Sequence, residues 1–288
     1  MPTTRKLRKK RKKAEDALTN ATRCGFDSKT KAIRVDNRVY GGATKLLQKA
    51  FYANYKYTPA GRINIPGAAP FWCLKDSQRK DIRDHASSAQ SGRRFHCDVY
   101  HYFVCQKGVM VEGNARKRCH DCKKRFGVYS MPITNTCDAY AMINGLAWSL
   151  RHRGLFAVSS EVPVAWRQAN TGTLLDLVCM DGEGLLHVVE LKTGYSSMAR
   201  THADARNRWM TGGVGQRMRN CPLNHHMLQL WFGVRALEGT HTEFEVADGH
   251  LFYVSNRGVV SEYPLSKWKP GEQVALDDLE AQLLGRAP

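Results

Sequence analysis

The sequence predicts an α/β (α+β) fold, a mixed central sheet flanked by helices, preceded by a basic Cys/His-rich region. Three observations predict it. After residue 137 the apolar periodicity runs helix, three strands, two helices, then closing strands. The turn Asp181-Gly182-Glu183-Gly184 joins two apolar runs as a hairpin loop would. Charge is split: residues 1–136 carry 30 basic and 10 acidic side chains, residues 137–288 carry 14 and 16.

Taken in order, residues 1–20 read as a basic disordered tail leading to a short helix. The run Arg5 to Lys13 suits either a nuclear import signal or an arm on phosphates, so the nucleus is the expected compartment. Residues 21–136 read as a basic nucleic-acid-binding region. Within it Ala43 to Tyr57 has helical spacing, and Pro59, Gly61, Pro66, Gly67 and Pro70 break the chain into loop. From 137 to 288 a second domain is expected. It comprises a helix over 137–153 stopped by Gly154, strands Phe156 to Trp166, Leu174 to Met180 and Leu185 to Leu191, and helices over Ser196 to Met210 and His225 to Leu237. Strands Glu243 to Val246, Leu251 to Ser255 and Val259 to Tyr263 and a terminal helix Leu276 to Leu284 complete it.

The chain is 42% hydrophobic and 24% charged, as globular proteins are, and no apolar run is long enough to span a membrane. A formal net charge of +18 calls for an acidic partner, nucleic acid first. The first 13 residues hold no apolar signal core, so secretion is not expected and the nine cysteines read as reduced thiols or metal ligands.

The hairpin carries the chemistry. With Gly182, Glu183 and Gly184 as a three-residue loop, residues whose numbers sum to 366 lie opposite one another, and Asp176 faces Glu190. Alternation then puts Lys192 on the face of Glu190. Two acids and an amine among Leu and Val are expensive to bury, and a divalent cation offsets both the repulsion and the desolvation. Mg²⁺ or Mn²⁺ is expected, held by Asp176, Glu190 and the Leu191 carbonyl, with Lys192 orienting a water or steadying phosphate charge. The bland alternative is a surface ion pair on a half-exposed hairpin.

Leu175-Asp176, thirteen residues, then Glu190-Leu191-Lys192 resembles the PD-(D/E)XK nuclease superfamily. Glu161-Val162-Pro163-Val164 before it and Leu228-Gln229-Leu230 after it look like flanking parts of the exonuclease-type branch, which includes lambda-type and related viral or phage exonucleases. The resemblance covers 137–237. It implies a restriction-endonuclease-like core and Mg²⁺-dependent hydrolysis of DNA phosphodiesters. It implies that Asp176 and Glu190 bind metal, that Lys192 is the catalytic lysine, that Glu161 is an additional upstream acid, and that Gln229 supports the active site or DNA. Leu175 stands where the nominal proline would be, and Gly233 where one subgroup has tyrosine. DNA is the expected partner, as single strands, branches or duplex ends, the first two suggested by interleaved aromatic and basic residues; a polybasic N-terminus with a nuclease core suits recombination, repair or genome processing in a eukaryotic nucleus or a DNA virus. The competing readings are an inactive nuclease-fold binding protein and a structure-specific endonuclease. His152, at the end of the first helix, could face the metal or the DNA, but a satisfied surface histidine is the better reading.

Cys119-His120-Asp121-Cys122 is a CxxC knuckle in a basic setting, with His96, Cys97, His101 and Cys105 upstream. A structural Zn²⁺ module over about residues 95–128 is expected, with Cys119 and Cys122 joined by His101 and Cys105, or by Cys97 and His101. It would display Arg93, Arg94, Arg116, Lys117, Arg118, Lys123, Lys124 and Arg125 to nucleic acid. Unliganded buried thiols are the alternative.

Overall fold

The computed structural model describes residues 4–20, 23–27, 30, 32–52, 95–96, 98–100, 102–103, 138–193, 200–201, 209–255, 257–271 and 274–286. The zinc-ligand set His101, Cys105, Cys119 and Cys122, the alternative ligand Cys97, the eight cations from Arg93 to Arg125 and most of the 196–210 helix lie outside the described residues.

The sheet has eight strands, β1 (Cys24–Asp27), β2 (Ala32–Val35), β3 (Arg38–Gly42), β4 (Phe156–Trp166), β5 (Thr171–Met180), β6 (Leu186–Thr193), β7 (Val246–Val254) and β8 (Val260–Pro264). It is mixed: β3 with β5 and β6 with β7 are parallel, the other pairs antiparallel. Helices with bounds among the described residues are α1 (Thr4–Leu18), α2 (Ala43–Phe51), α3 (Asp138–His152), α4 (Pro222–Thr240) and α5 (Leu276–Leu283). A parallel β6–β7 pair requires a crossover, and α4 lies within it.

Both faces of the sheet are covered. On one, Val162, Val164, Met180, Leu186 and Val188 pack with Leu47 and Phe51 of α2, Leu228 and Trp231 of α4, and Leu279 of α5. On the other, Leu177, Cys179, Val189 and Leu191 pack with Ile143, Leu146 and Leu150 of α3 and with Phe95 and Val99. Helix α4 is buried almost all round, enclosed by sheet and neighbouring helices, and Pro222 sits in its first turn where no amide bond is lost.

Three sequence expectations change. Where composition points to a disordered tail over residues 1–20, Thr4–Leu18 is helix, with Ala14 and Leu18 fully or almost fully buried. Spacing of Leu7, Ala14 and Leu18 puts an apolar stripe on one side, and that stripe packs on the core. Second, β3 hydrogen-bonds β5, so the boundary at 136/137 does not divide the sheet. Third, the strands expected at Glu243 to Val246 and Leu251 to Ser255 are one strand, β7. Gly249 is accommodated inside it because Leu230 and Val234 of α4 occupy the space a side chain would take.

Candidate active site

The β5–β6 hairpin has the register that its turn dictates. Leu177, Val178, Cys179 and Met180 pair with Val189, Val188, His187 and Leu186, and the Asp181 amide donates to the Leu185 carbonyl. Asp181 fixes the loop, because its Oδ1 accepts from the amides of Glu183, Gly184 and Leu185 at 2.8 to 2.9 Å. One step beyond Leu177, the same register sets Asp176 opposite Glu190.

There the ladder stops. β5 keeps β4 along one edge for its whole length, but its other edge is shared. Residues 177–180 pair with β6, while Thr171 and Gly172 pair with Gly41 and Gly42 of β3. Between these lies a fork. The Leu191 amide, which has no β5 carbonyl to meet, donates to Asp176 Oδ2 at 2.7 Å instead. A cavity of about 300 Å³ occupies the fork, lined by Ala43, Thr44, Thr173, Glu190, Lys192 and Gln229 among others.

A second irregularity meets the first. On β4, Ser160 pairs with Leu177 and Val162 with Leu175, which sets Glu161 opposite Asp176. Glu161 has φ of +52°, left-handed backbone that a regular strand residue never adopts. The pleat slips at this point: Leu175 packs into the cluster beneath α4 while Leu177, two residues on, packs into the cluster beneath α3. Three carboxylates, Glu161, Asp176 and Glu190, therefore form one row across β4, β5 and β6 at a kink.

The row has two cationic neighbours. Lys192 donates to Glu190 Oε1. His96 Nδ1 lies 3.2 Å from Glu161 Oε1 and 3.4 Å from Asp176 Oδ1. Burial alone would lower the His96 pKa, but Asp176 and then Glu161 outweigh it and raise it to about 9. Burial, then the Asp176 charge, raises the Glu190 carboxyl above its ordinary value, against the pull of Lys192. Side chains of Asp176 and Glu190 are each only 12% exposed, so the acids are held together out of water. Gln229 lines the cavity beside Lys192, and the Tyr52 hydroxyl interacts with both. Burial pushes the Tyr52 hydroxyl up to about 12, with the Gln229 amide and Lys192 charge opposing.

All five expected catalytic positions are thus brought together: Asp176, Glu190, Lys192 and Glu161 directly, Gln229 across the cavity. Glu161 lies mid-strand and is largely covered. His152 stacks on exposed Trp148 with ring centroids 5.1 Å apart, and is itself exposed. The residue missed is His96. Its only sequence signal is membership of the Cys/His-rich segment, which points to zinc.

Among the described residues, His96, Glu161 and Asp176 are the group of three whose ligand atoms all lie within 4.8 Å, the reach of one metal ion. The donor set is two carboxylate oxygens and one imidazole nitrogen in a cage whose acids already require a counter-charge, so it fits a divalent cation. No helix among the described residues is long and apolar enough to cross a membrane. No family model matches the chain, and no curated protein matches its sequence.

Proposed function

We propose that the protein is a divalent-metal-dependent phosphodiester hydrolase of PD-(D/E)XK type with a restriction-endonuclease-like core, acting on DNA. The observation that carries the proposal is the row of three acids at the β5 fork, whose Glu190 lines a cavity together with Lys192 and Gln229.

A bound Mg²⁺ or Mn²⁺ would supply an acidified water and charge neutralisation at the scissile phosphate. Asp176 and Glu161, with neutral His96 or Glu190 completing the set, would hold it, and the Leu191 carbonyl is the remaining donor the resemblance implies. Asp176 and Glu161 raise the His96 pKa to about 9, so His96 would have to give up a proton to join the ligand set of a bound metal. The Leu191 amide fixes the Asp176 carboxylate, leaving Oδ1 for coordination. Lys192 neutralises Glu190 and projects into the cavity, where its ammonium can meet a phosphate oxygen. Gln229 borders the same space and orients what enters it. The flanking parts favour an exonuclease in recombination, repair or genome processing.

The test is cleavage of end-labelled linear and closed circular DNA with Mg²⁺ or Mn²⁺, by wild type, Asp176→Asn and Glu190→Gln. Loss of at least a hundredfold in both variants, with circular DNA spared, supports the reading. Undiminished cutting by Asp176→Asn overturns the site. Absence of cutting by wild type on any DNA or RNA leaves the inactive binding protein as the answer.

A further inference from the structure

Helix α1 has its charges the wrong way round for an isolated helix. Eight of its fifteen residues are Lys or Arg, all within Arg5 to Lys13, at the end where the helix dipole is positive. Its two acids, Glu15 and Asp16, lie toward the negative end, and no acid occupies the first turn. Arg5 and Lys9, Arg8 and Lys12, and Lys9 and Lys13 are like-charged neighbours one turn apart.

The helix nevertheless has a fixed seat. Leu7, Ala14 and Leu18 face the core. Arg11 donates to the Ala157 carbonyl at 2.9 Å, and Lys10 donates to the Glu183 carbonyl at 3.0 Å. Arg5, Arg8, Lys9 and Lys12 recur at i, i+3, i+4 and i+7, so they form one stripe opposite Leu7, Arg11, Ala14 and Leu18, and all four are exposed. Only Lys12 in this stripe has acid partners on the helix, Asp16 at 2.8 Å and Glu15 at 3.9 Å.

We propose that this stripe is a rigid phosphate-binding rail for nucleic acid. The inference deepens the hydrolase reading by naming where the polymer is gripped, and its charge argument stands apart from the chemistry. Ala157 lies four residues along β4 from Glu161, so the anchored face of the helix, at Arg11, is about 13 Å from the acid row at strand spacing, and the stripe on its outer face is about one helix diameter further. An acidic membrane is the weaker partner, because the apolar stripe that would enter a bilayer is already spent on the protein core. A polyanion along the rail relieves the repulsion among its cations, so binding also stabilises the helix.

The experiment uses the full chain in EDTA, where cleavage does not intervene. Binding of labelled duplex DNA is followed by fluorescence anisotropy over a salt series, for wild type and for the combined Arg5→Gln, Arg8→Gln, Lys9→Gln variant. Each lost phosphate contact removes about 0.9 from the slope of log K against log salt, so the variant's slope becomes shallower by about 2 to 3. Its melting temperature without DNA is unchanged or higher, and DNA raises it less than in wild type. An unchanged slope overturns the rail whether or not the protein cuts DNA. So does a variant that melts lower and binds with the wild-type slope, since the cations then serve the fold. Phosphatidylserine vesicles binding wild type as tightly as DNA does at equal salt, with the variant losing both, would reassign the stripe to membranes.

Discussion

Acid should unfold this protein through a histidine that the fold holds neutral. His225 lies in the first turn of α4, stacked on Tyr52 with ring centroids 4.1 Å apart, and its Nε2 meets Asn220 Oδ1 at 2.6 Å. Burial pushes its pKa down to about 3. Between that value and about 6.5 the unfolded chain binds a proton that the native chain refuses. The stability that His225 contributes is therefore complete above about pH 6.5 and is lost as pH falls toward 3. From pH 7 to pH 5 the loss works out at about 2 kcal/mol for this one group. Urea unfolding at the two pH values measures it, and His225→Phe, which keeps a ring against Tyr52, removes the proton site. The variant should lose about 2 kcal/mol less than wild type over that interval, whatever its stability at pH 7. Equal losses in the two proteins would refute the assignment of a neutral buried imidazole.

Three further outcomes follow from the geometry. On the proposed hydrolase reading, in which the ammonium serves Glu190 and the reacting phosphate rather than affinity, Lys192→Gln should reduce cleavage at least a hundredfold while DNA binding in EDTA stays within about twofold. Gly145→Ala should destabilise by about 2 to 3 kcal/mol in thermal or urea unfolding, since the added methyl would overlap the Gly258 carbonyl where α3 meets the turn before β8. Asp181→Ala should cost about 1 to 2 kcal/mol at neutral pH by freeing three turn amides. Its carboxyl is held below the ordinary range: the loop amides and His187 outweigh the burial that would raise it. Its contribution is therefore present above about pH 4 and lost below, and urea unfolding of wild type and variant should converge as pH falls through that range.

The hairpin and its register were legible because their determinants are local. Asp181-Gly182-Glu183-Gly184 sets the loop, and the strict two-residue period leaves a single register for Leu177 to Met180. The opposition of Asp176 to Glu190 follows by counting. What the sequence did not disclose depends on distant partners. The β3–β5 bridge is two rungs joining Gly41 and Gly42 to Thr171 and Gly172, far apart in the chain and without any signature beyond small residues. His96 reaches Glu161 and Asp176 across more than sixty residues. In α1 the abundance of like charge masked an apolar stripe of only three residues, and tertiary burial of Ala14 and Leu18 outweighs the repulsion among its cations.

Glu161 pays for its place. A non-glycine side chain at φ of +52° carries about 1 to 3 kcal/mol of backbone strain, which glycine would shed and asparagine would lessen. Selection for thermal robustness alone would therefore drift toward replacing it, and each gain would remove a carboxylate from the row. Variants recovered as the hardiest from a random library should include chemically silent ones altered at this position, so heat tolerance and turnover must be screened together.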